Sequence, residues 1–238
     1  MSRIVVAVAS YRGIADGDVR KLVSADHIES LGHEVLVVKQ EHLALLDLAR
    51  AEVTTKALAL KPDYVLFQDD DVAVAGKSFE AMLMADVDCV AALYWARHGE
   101  DRYVAQIKPG EKLIVRNHVP LIRVVFGGLG CVLVKAGALK RAAGRVQSFN
   151  SFWTPGATCA HLFGSMVVPR RTVVPGAPKG ENSYLPDDVS FFRRMQQAGV
   201  NTWAAVLAET MHGDLKGCFG ETCDLKEEIA RATQLKVV

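Results

Sequence analysis

Tyr64-Val65-Leu66-Phe67-Gln68-Asp69-Asp70-Asp71 sets the architecture: an apolar run of buried-strand type feeds directly into three consecutive carboxylates. Upstream, Arg3 to Ala9 (RIVVAVA) is a β-branched strand closed by Ser10-Tyr11-Arg12-Gly13. From Asp18 to Leu31, Val19, Leu22, Val23, Ala25 and Leu31 recur at helical spacing, and Gly32 stands where a helix ends. Glu34 to Val38 reads as a second strand, and His42 to Leu60 as a helix stopped by Pro62. Strand, helix, strand, helix, strand over seventy residues implies right-handed crossovers and a parallel, doubly wound sheet.

Downstream, Lys77 to Met84 predicts a helix and Asp88 to Trp95 a strand. Tyr103–Ile107, Leu113–Val115, Ile122–Phe126 and Cys131–Val134 predict shorter strands, and Ala136–Ala143 a helix. Residues 144–186 are rich in Gly, Pro, Ser and Asn and predict a long functional loop. Pro186 to Ala198 has Pro at its start, acids in its first turn and Gly199 after it, which marks a helix. Asn201–Leu207 is a last strand before Met211-His212-Gly213. Asp224 to Leu235 closes the chain as an amphipathic helix, with Asp224 and Glu227 at capping-box spacing.

The 238 residues, half of them hydrophobic, suit one domain over 1–238 with a core of its own. The 28 Lys and Arg against 27 Asp and Glu exclude a disordered polyelectrolyte and argue against nucleic-acid binding through bulk charge. The apolar start, Ile4–Ala9, is far short of the roughly 20 residues of a membrane span and lacks a cleavage signal. Five cysteines in no tight framework fit reduced thiols, so a cytoplasmic location is expected.

Three carboxylates at the carboxyl end of a strand lie where open α/β sheets bind ligands. Their mutual repulsion is relieved by a cation, and hard oxygen ligands suit Mg²⁺ or Mn²⁺. A solvated acidic turn or a helix cap accounts for the same triplet without metal. Asp187-Asp188 reads first as dipole compensation at a helix start, His212 as an ordinary histidine, and Arg50 as a snorkelling side chain. Gly127-Gly128-Leu129-Gly130 is not a phosphate loop, because a strand follows it where a helix N-terminus is needed. Cys159, His161, His212, Cys218 and Cys223 fit no standard zinc spacing.

Together these segments resemble glycosyltransferases of the GT-A fold, a Rossmann-like nucleotide-diphospho-sugar transferase fold, and especially small family-2-like bacterial and phage enzymes. Ala49-Arg50-Ala51 and the Asp69-Asp70-Asp71 strand look like that group's Ala-Arg-Asn helix and DxD motif. Asp88 to Tyr94 and Phe126 to Val134 resemble its next two strands. Asp187-Asp188 through Arg194, then Gly199, Trp203 and His212-Gly213, resemble its acidic helix start and terminal metal-side histidine. Ala51 stands where the group has Asn, and Asp187 where it has Glu.

The resemblance implies a mostly parallel central sheet flanked by helices and a metal-dependent transfer from a nucleotide-diphosphate sugar, a UDP-sugar being favoured. Mn²⁺ or Mg²⁺ would be held by Asp69, Asp71 and His212. Ser10, Tyr11, Arg50, Asp69, Asp70, Gly128 and Lys216 would border the donor. Asp188 would be the general base of an inverting transfer, retention being the alternative because retaining relatives also carry a metal-binding histidine. Tyr94, Trp95, Trp153 and Asp187 would meet the acceptor, with 144–186 as its platform or lid. That acceptor is open among a glycan, a small molecule, a protein and a modified nucleic-acid base, the last served by Arg170, Arg171 and Lys179. A non-catalytic nucleotide- or glycan-binding module is the rival reading. A haloacid-dehalogenase-like phosphatase fits less well, since Asp69 follows a third strand and Val74 stands three beyond Asp71.

Overall fold

The computed structural model describes residues 1–94, 104–107, 110–151, 153–172, 178–206 and the backbone of 210–212. In chain order the first elements are β1 (Arg3–Ser10), α1 (Asp16–Leu22), α2 (Ala25–Ser30), β2 (Glu34–Glu41), α3 (Leu46–Ala59), β3 (Tyr64–Gln68), β4 (Val72–Val74) and α4 (Gly76–Met84). There follow β5 (Cys89–Ala92), β6 (Ala105–Ile107), β7 (Ile114–Arg116), β8 (Val119–Gly127), β9 (Cys131–Lys135) and α5 (Ala136–Ala143). The last are β10 (Ser148–Asn150), β11 (Thr158–Ala160), β12 (Met166–Pro169), β13 (Asn182–Leu185), α6 (Asp187–Gln197), β14 (Thr202–Ala205) and β15 (Thr210–His212). The expected C-terminal helix lies outside the described residues.

The central sheet runs β2-β1-β3-β9-β5-β14-β8-β6, with β7 also on β8. β1 pairs in parallel with both β2 and β3, as the opening alternation predicts. β9 then enters antiparallel between β3 and β5, and β8 runs antiparallel to β14. The sheet is therefore mixed: β8 and β9 run against the shared direction of the other strands. An apolar run such as Cys131–Val134 reads the same in either direction, so only its long-range partners settle its sense.

Side chains alternate across the strands and feed two cores. Val5, Ala7, Val65 and Phe67 face one side, where α3, α5 and α6 pack through Val53, Leu139, Phe191 and Met195. Ile4, Val6, Val8 and Leu66 face the other, where Val19, Ile28 and Phe79 of α1, α2 and α4 cover them. The α/β, doubly wound layering expected from the sequence is present.

Two local expectations need correction. The helix expected over 18–31 is two helices, because Ser24 sits at φ 50° and its hydroxyl donates to the Val74 carbonyl at 3.0 Å. The apolar spacing continues through that break and conceals it. The helix expected from His42 begins at Leu46, since His42 adopts φ 60°.

The long 144–186 segment carries two antiparallel pairs, β10 with β11 and β12 with β13. Its attachment to the body is chemical. Glu52, buried on α3, accepts hydrogen bonds from the Ser151 and Thr154 hydroxyls. Arg194 of α6 donates to the carbonyls of Leu162, at 2.9 Å, and Gly164, at 2.5 Å. Replacing Glu52 by Ala should cost about 1–3 kcal/mol through lost and unmet hydrogen bonds. It should also speed proteolysis within 148–160. Unchanged cleavage there would show that Glu52 does not hold the segment.

Candidate functional site

The acids at the end of β3 are placed by the strand and by the glycine segment beside it. Phe67, one turn of the pleat before Asp69, packs edge-on against Phe163 and Phe191, with ring centroids at 5.4 and 5.5 Å. Phe163 and Phe191 stack on each other at 5.0 Å. Such ring pairs contribute about 0.5–1.5 kcal/mol each beyond their buried area. This cluster ties the β3 terminus to α6, whose first two residues are Asp187 and Asp188.

Arg50 completes the link. Its side chain is 7% exposed. One terminal nitrogen donates to Asp69 Oδ1 at 2.8 Å and the other to Asp187 Oδ2. Burial alone would lower the guanidinium's pKa, but Asp69 and then Asp187 outweigh it and raise it. The two acid groups recognised separately in the sequence thus meet across a single shared cation. Arg50, expected among the donor-binding residues, is engaged here by carboxylates, and Asp187, expected at the acceptor, faces Arg50.

Asp70 turns the other way and accepts from Ser10 Oγ at 2.5 Å. Ser10, at the buried end of β1, also accepts from the Gly13 amide at 3.1 Å, which fixes the turn after that strand. The neighbouring Tyr11 is exposed. Asp71 opens the turn into β4, and β4 pairs antiparallel with β15 so that His212 stands opposite Val72. The backbone therefore brings His212 beside the residue that follows Asp71. Among the described residues, no three His, Cys, Asp or Glu side chains are assembled as a metal group.

The glycines after β8 serve Tyr94. The Tyr94 hydroxyl accepts from the Gly130 amide at 2.9 Å. A Cβ on Gly128 would lie 2.0 Å from that hydroxyl oxygen, and one on Gly130 2.7 Å. Tyr94 is buried, and burial pushes its hydroxyl's pKa up. The Gly130 carbonyl in turn accepts from the Asp69 amide at 3.0 Å, so the glycine segment braces the first acid. Gly128 and Tyr94, expected at the donor and acceptor respectively, pack on each other. Trp153 is about half exposed on the loop that Glu52 anchors. Trp95 and Lys216 lie outside the described residues.

Asp188 is part-buried, and burial pushes its carboxyl pKa above the ordinary carboxylate value. The Val189 amide, donating at 2.7 Å, and the Arg50 charge oppose that rise, while Asp187 adds to it. A carboxyl of raised pKa beside a second carboxyl is the electrostatic arrangement of a proton acceptor. The buried thiols of Cys89 and Cys131 carry no such chemistry: burial pushes Cys131 up to about 12, and both sit in the core.

Sequence reading found the acids and missed what couples them. The available signal was composition: Arg50 and Glu52 are charged residues within an otherwise small and apolar helix stretch, Leu48-Ala49-Arg50-Ala51-Glu52-Val53.

No family model matches the chain, and no curated protein matches it in sequence. Solved structures do. The A197 protein from STIV aligns with TM-score 0.51 at 17% identity, over 90% of this chain and 86% of that one. The catalytic domain of Drosophila β1,4-galactosyltransferase 7, solved with xylobiose, aligns with TM-score 0.43 at 14% identity, over 86% of this chain and 65% of its own. A glycosyltransferase involved in the glycosylation of the major capsid of PBCV-1 aligns with TM-score 0.34 at 13% identity, over 58% of this chain and 61% of that one. The likeness to A197 extends along most of both chains and places this protein's α/β sheet in a fold shared with that structure.

Arg50→Met should cost about 3 kcal/mol in urea unfolding, the low end for breaking a buried pair, because both carboxylates keep some water. A loss under about 1 kcal/mol would reduce the bridge to an exposed ion pair. For Asp188, a folded pKa above the unfolded one means that its stabilising contribution is full below the unfolded pKa. That contribution is lost as pH rises through the folded pKa. The melting temperature of Asp188→Asn should therefore gain on wild type as pH rises from about 4 towards neutrality. A pH-independent difference would remove burial as the cause.

Proposed function

We propose that this chain is a metal-dependent glycosyltransferase of GT-A type, moving a sugar from a nucleotide-diphosphate donor to an acceptor hydroxyl. One observation carries the reading. Arg50 joins the carboxylate at the end of a central strand to the acidic start of α6 at the ligand-binding end of an α/β sheet. Donor and acceptor chemistry need two acidic positions held at a fixed separation, and a rigid buried cation between them supplies that.

In this reading Asp71 would help hold Mn²⁺ or Mg²⁺. Asp69, already compensated by Arg50, and His212, whose backbone stands beside the residue after Asp71, would contribute the remaining protein ligands. Hard carboxylate oxygens with an imidazole fit such an ion. The bound metal would supply charge neutralisation for the departing diphosphate. Asp70, held by Ser10, orients the turn towards the nucleotide, and Tyr11 at its exposed edge is offered to the base. Asp188 takes the acceptor's proton as its oxygen attacks the anomeric carbon, its burial-raised pKa making it a stronger base than an ordinary carboxylate. A single displacement of this kind inverts the anomeric centre. Arg50 acts through Asp69 and Asp187 as a positioning residue, and the anchored loop around Trp153 receives the acceptor.

The experiment is a mass-spectrometric panel of UDP-, GDP- and dTDP-sugars, each incubated with the protein with Mn²⁺ and with chelator. Metal-dependent release of nucleoside diphosphate from at least one donor is expected. Asp188→Asn should slow it about 10²–10⁴-fold. Turnover that survives in Asp188→Asn above about a hundredth of wild type would dismiss Asp188 as base. Release of no diphosphate from any donor would overturn the enzyme reading.

A further inference from the structure

The face of α6 turned away from Asp187 borders a cavity of about 460 Å³. That volume lies within the span of small-molecule pockets, about 300–1,000 Å³. At about 100° per residue, Val189, Arg193 and Gln196 lie roughly 180–240° round the helix from Asp187. The cavity and the Arg50 bridge are thus on opposite sides of α6. Its far wall is β8 and β14, through Val124 and Thr202.

Among the described residues, two arginines line this space, Arg123 of β8 and Arg193 of α6, and no acidic residue does. Arg193 Nε is buried without a hydrogen-bond partner. Among the described residues no carboxylate pairs with its guanidinium. Arg123 is steadied from behind: its guanidinium lies 5.1 Å from the centroid of the Trp203 ring. Glu111 approaches Arg123 Nη1 only to 3.8 Å, the outer edge of an ion pair. Gln196 offers nothing to a ligand through its amide nitrogen, which donates to the carbonyls of Val124 and Val125 and to the Thr202 hydroxyl.

A guanidinium is always charged, carries five donors and accepts nothing. A buried donor with no acceptor is unfavourable, and two cations on one cavity repel. Both penalties vanish when an oxyanion enters, because arginine pairs with carboxylate and phosphate through two parallel hydrogen bonds. We propose that this cavity is a second ligand site, taking a small molecule that bears a phosphate or carboxylate group. It stands apart from the acid cluster and does not depend on the glycosyl-transfer reading.

The test uses the full chain, with inorganic phosphate and citrate as separate probes, each balanced against NaCl of equal ionic strength. Thermal unfolding and calorimetry should show saturable binding of at least one of them, and which one identifies the group recognised. Arg193→Met should weaken that binding at least about tenfold. Its melting temperature without anion should not fall, since the change removes an unmet buried donor. Arg123→Met, at a part-exposed strand position, should weaken binding in the same sense and stands in if Arg193→Met misfolds. Asp71→Asn, across the helix, should bind the anion as wild type does. Absence of saturable binding by both probes, or equal binding in wild type and both arginine variants, would overturn the proposal. Loss of binding in Asp71→Asn would do the same by moving the anion to the acid cluster.

Discussion

A buried guanidinium must be compensated, and in this protein the compensation organises the ligand-binding end of the sheet. Arg50 sits on α3 with its side chain almost wholly removed from water, held by Asp69 and Asp187. Removing the cation leaves two carboxylates facing one another, and removing both acids leaves an unpaired charge in a low-dielectric site. The turn after β3 and the start of α6 are therefore not free to move independently. The Phe67, Phe163 and Phe191 rings reinforce the same link from below with apolar contact. Polar and apolar forces agree on one placement, which is the condition for a preorganised site.

The same helix, α6, separates two electrostatic environments. Its Asp187 side meets Arg50 and the acids of β3, where Asp188 is pushed towards protonation by burial. Its opposite side offers Arg193, with Arg123 across the cavity and no acid among the described lining residues. The near balance of 28 basic and 27 acidic residues therefore hides a sharp local division. Acids gather at the strand ends, and two arginines, one of them with its Nε unpartnered, stand behind the helix that starts there. Loop 144–186 is bound into this frame by Glu52 and Arg194 rather than left to hang from its ends.

Much of the fold was legible because it rests on local periodicity. β3 was read to the residue, since a continuous apolar run ended by three acids has one interpretation. α5 and α6 carried their boundaries in composition, with α6 marked by Pro186, Asp187, Asp188 and Gly199. The break at Ser24 was invisible because its cause is a hydrogen bond to Val74, fifty residues away. The antiparallel sense of β9 was invisible for a similar reason, strand direction being a property of partners and not of the strand. At the site, the individual acids were legible as motifs. The Arg50 bridge spans 137 residues of chain to Asp187, and no local pattern announces such a contact. Glu52 and the Tyr94–glycine packing belong to the same class: they are tertiary facts written in residues that look ordinary in sequence.

The proposed glycosyl transfer requires the acids after β3 to bind a nucleoside diphosphate through a divalent cation. Calorimetric titration of UDP into the wild-type chain and into Asp71→Asn, with Mn²⁺ and again with chelator, tests it most directly. Saturable binding by wild type in Mn²⁺ alone, abolished by chelator and by Asp71→Asn, is expected. Equal affinity with and without metal, or binding untouched by Asp71→Asn, would contradict it.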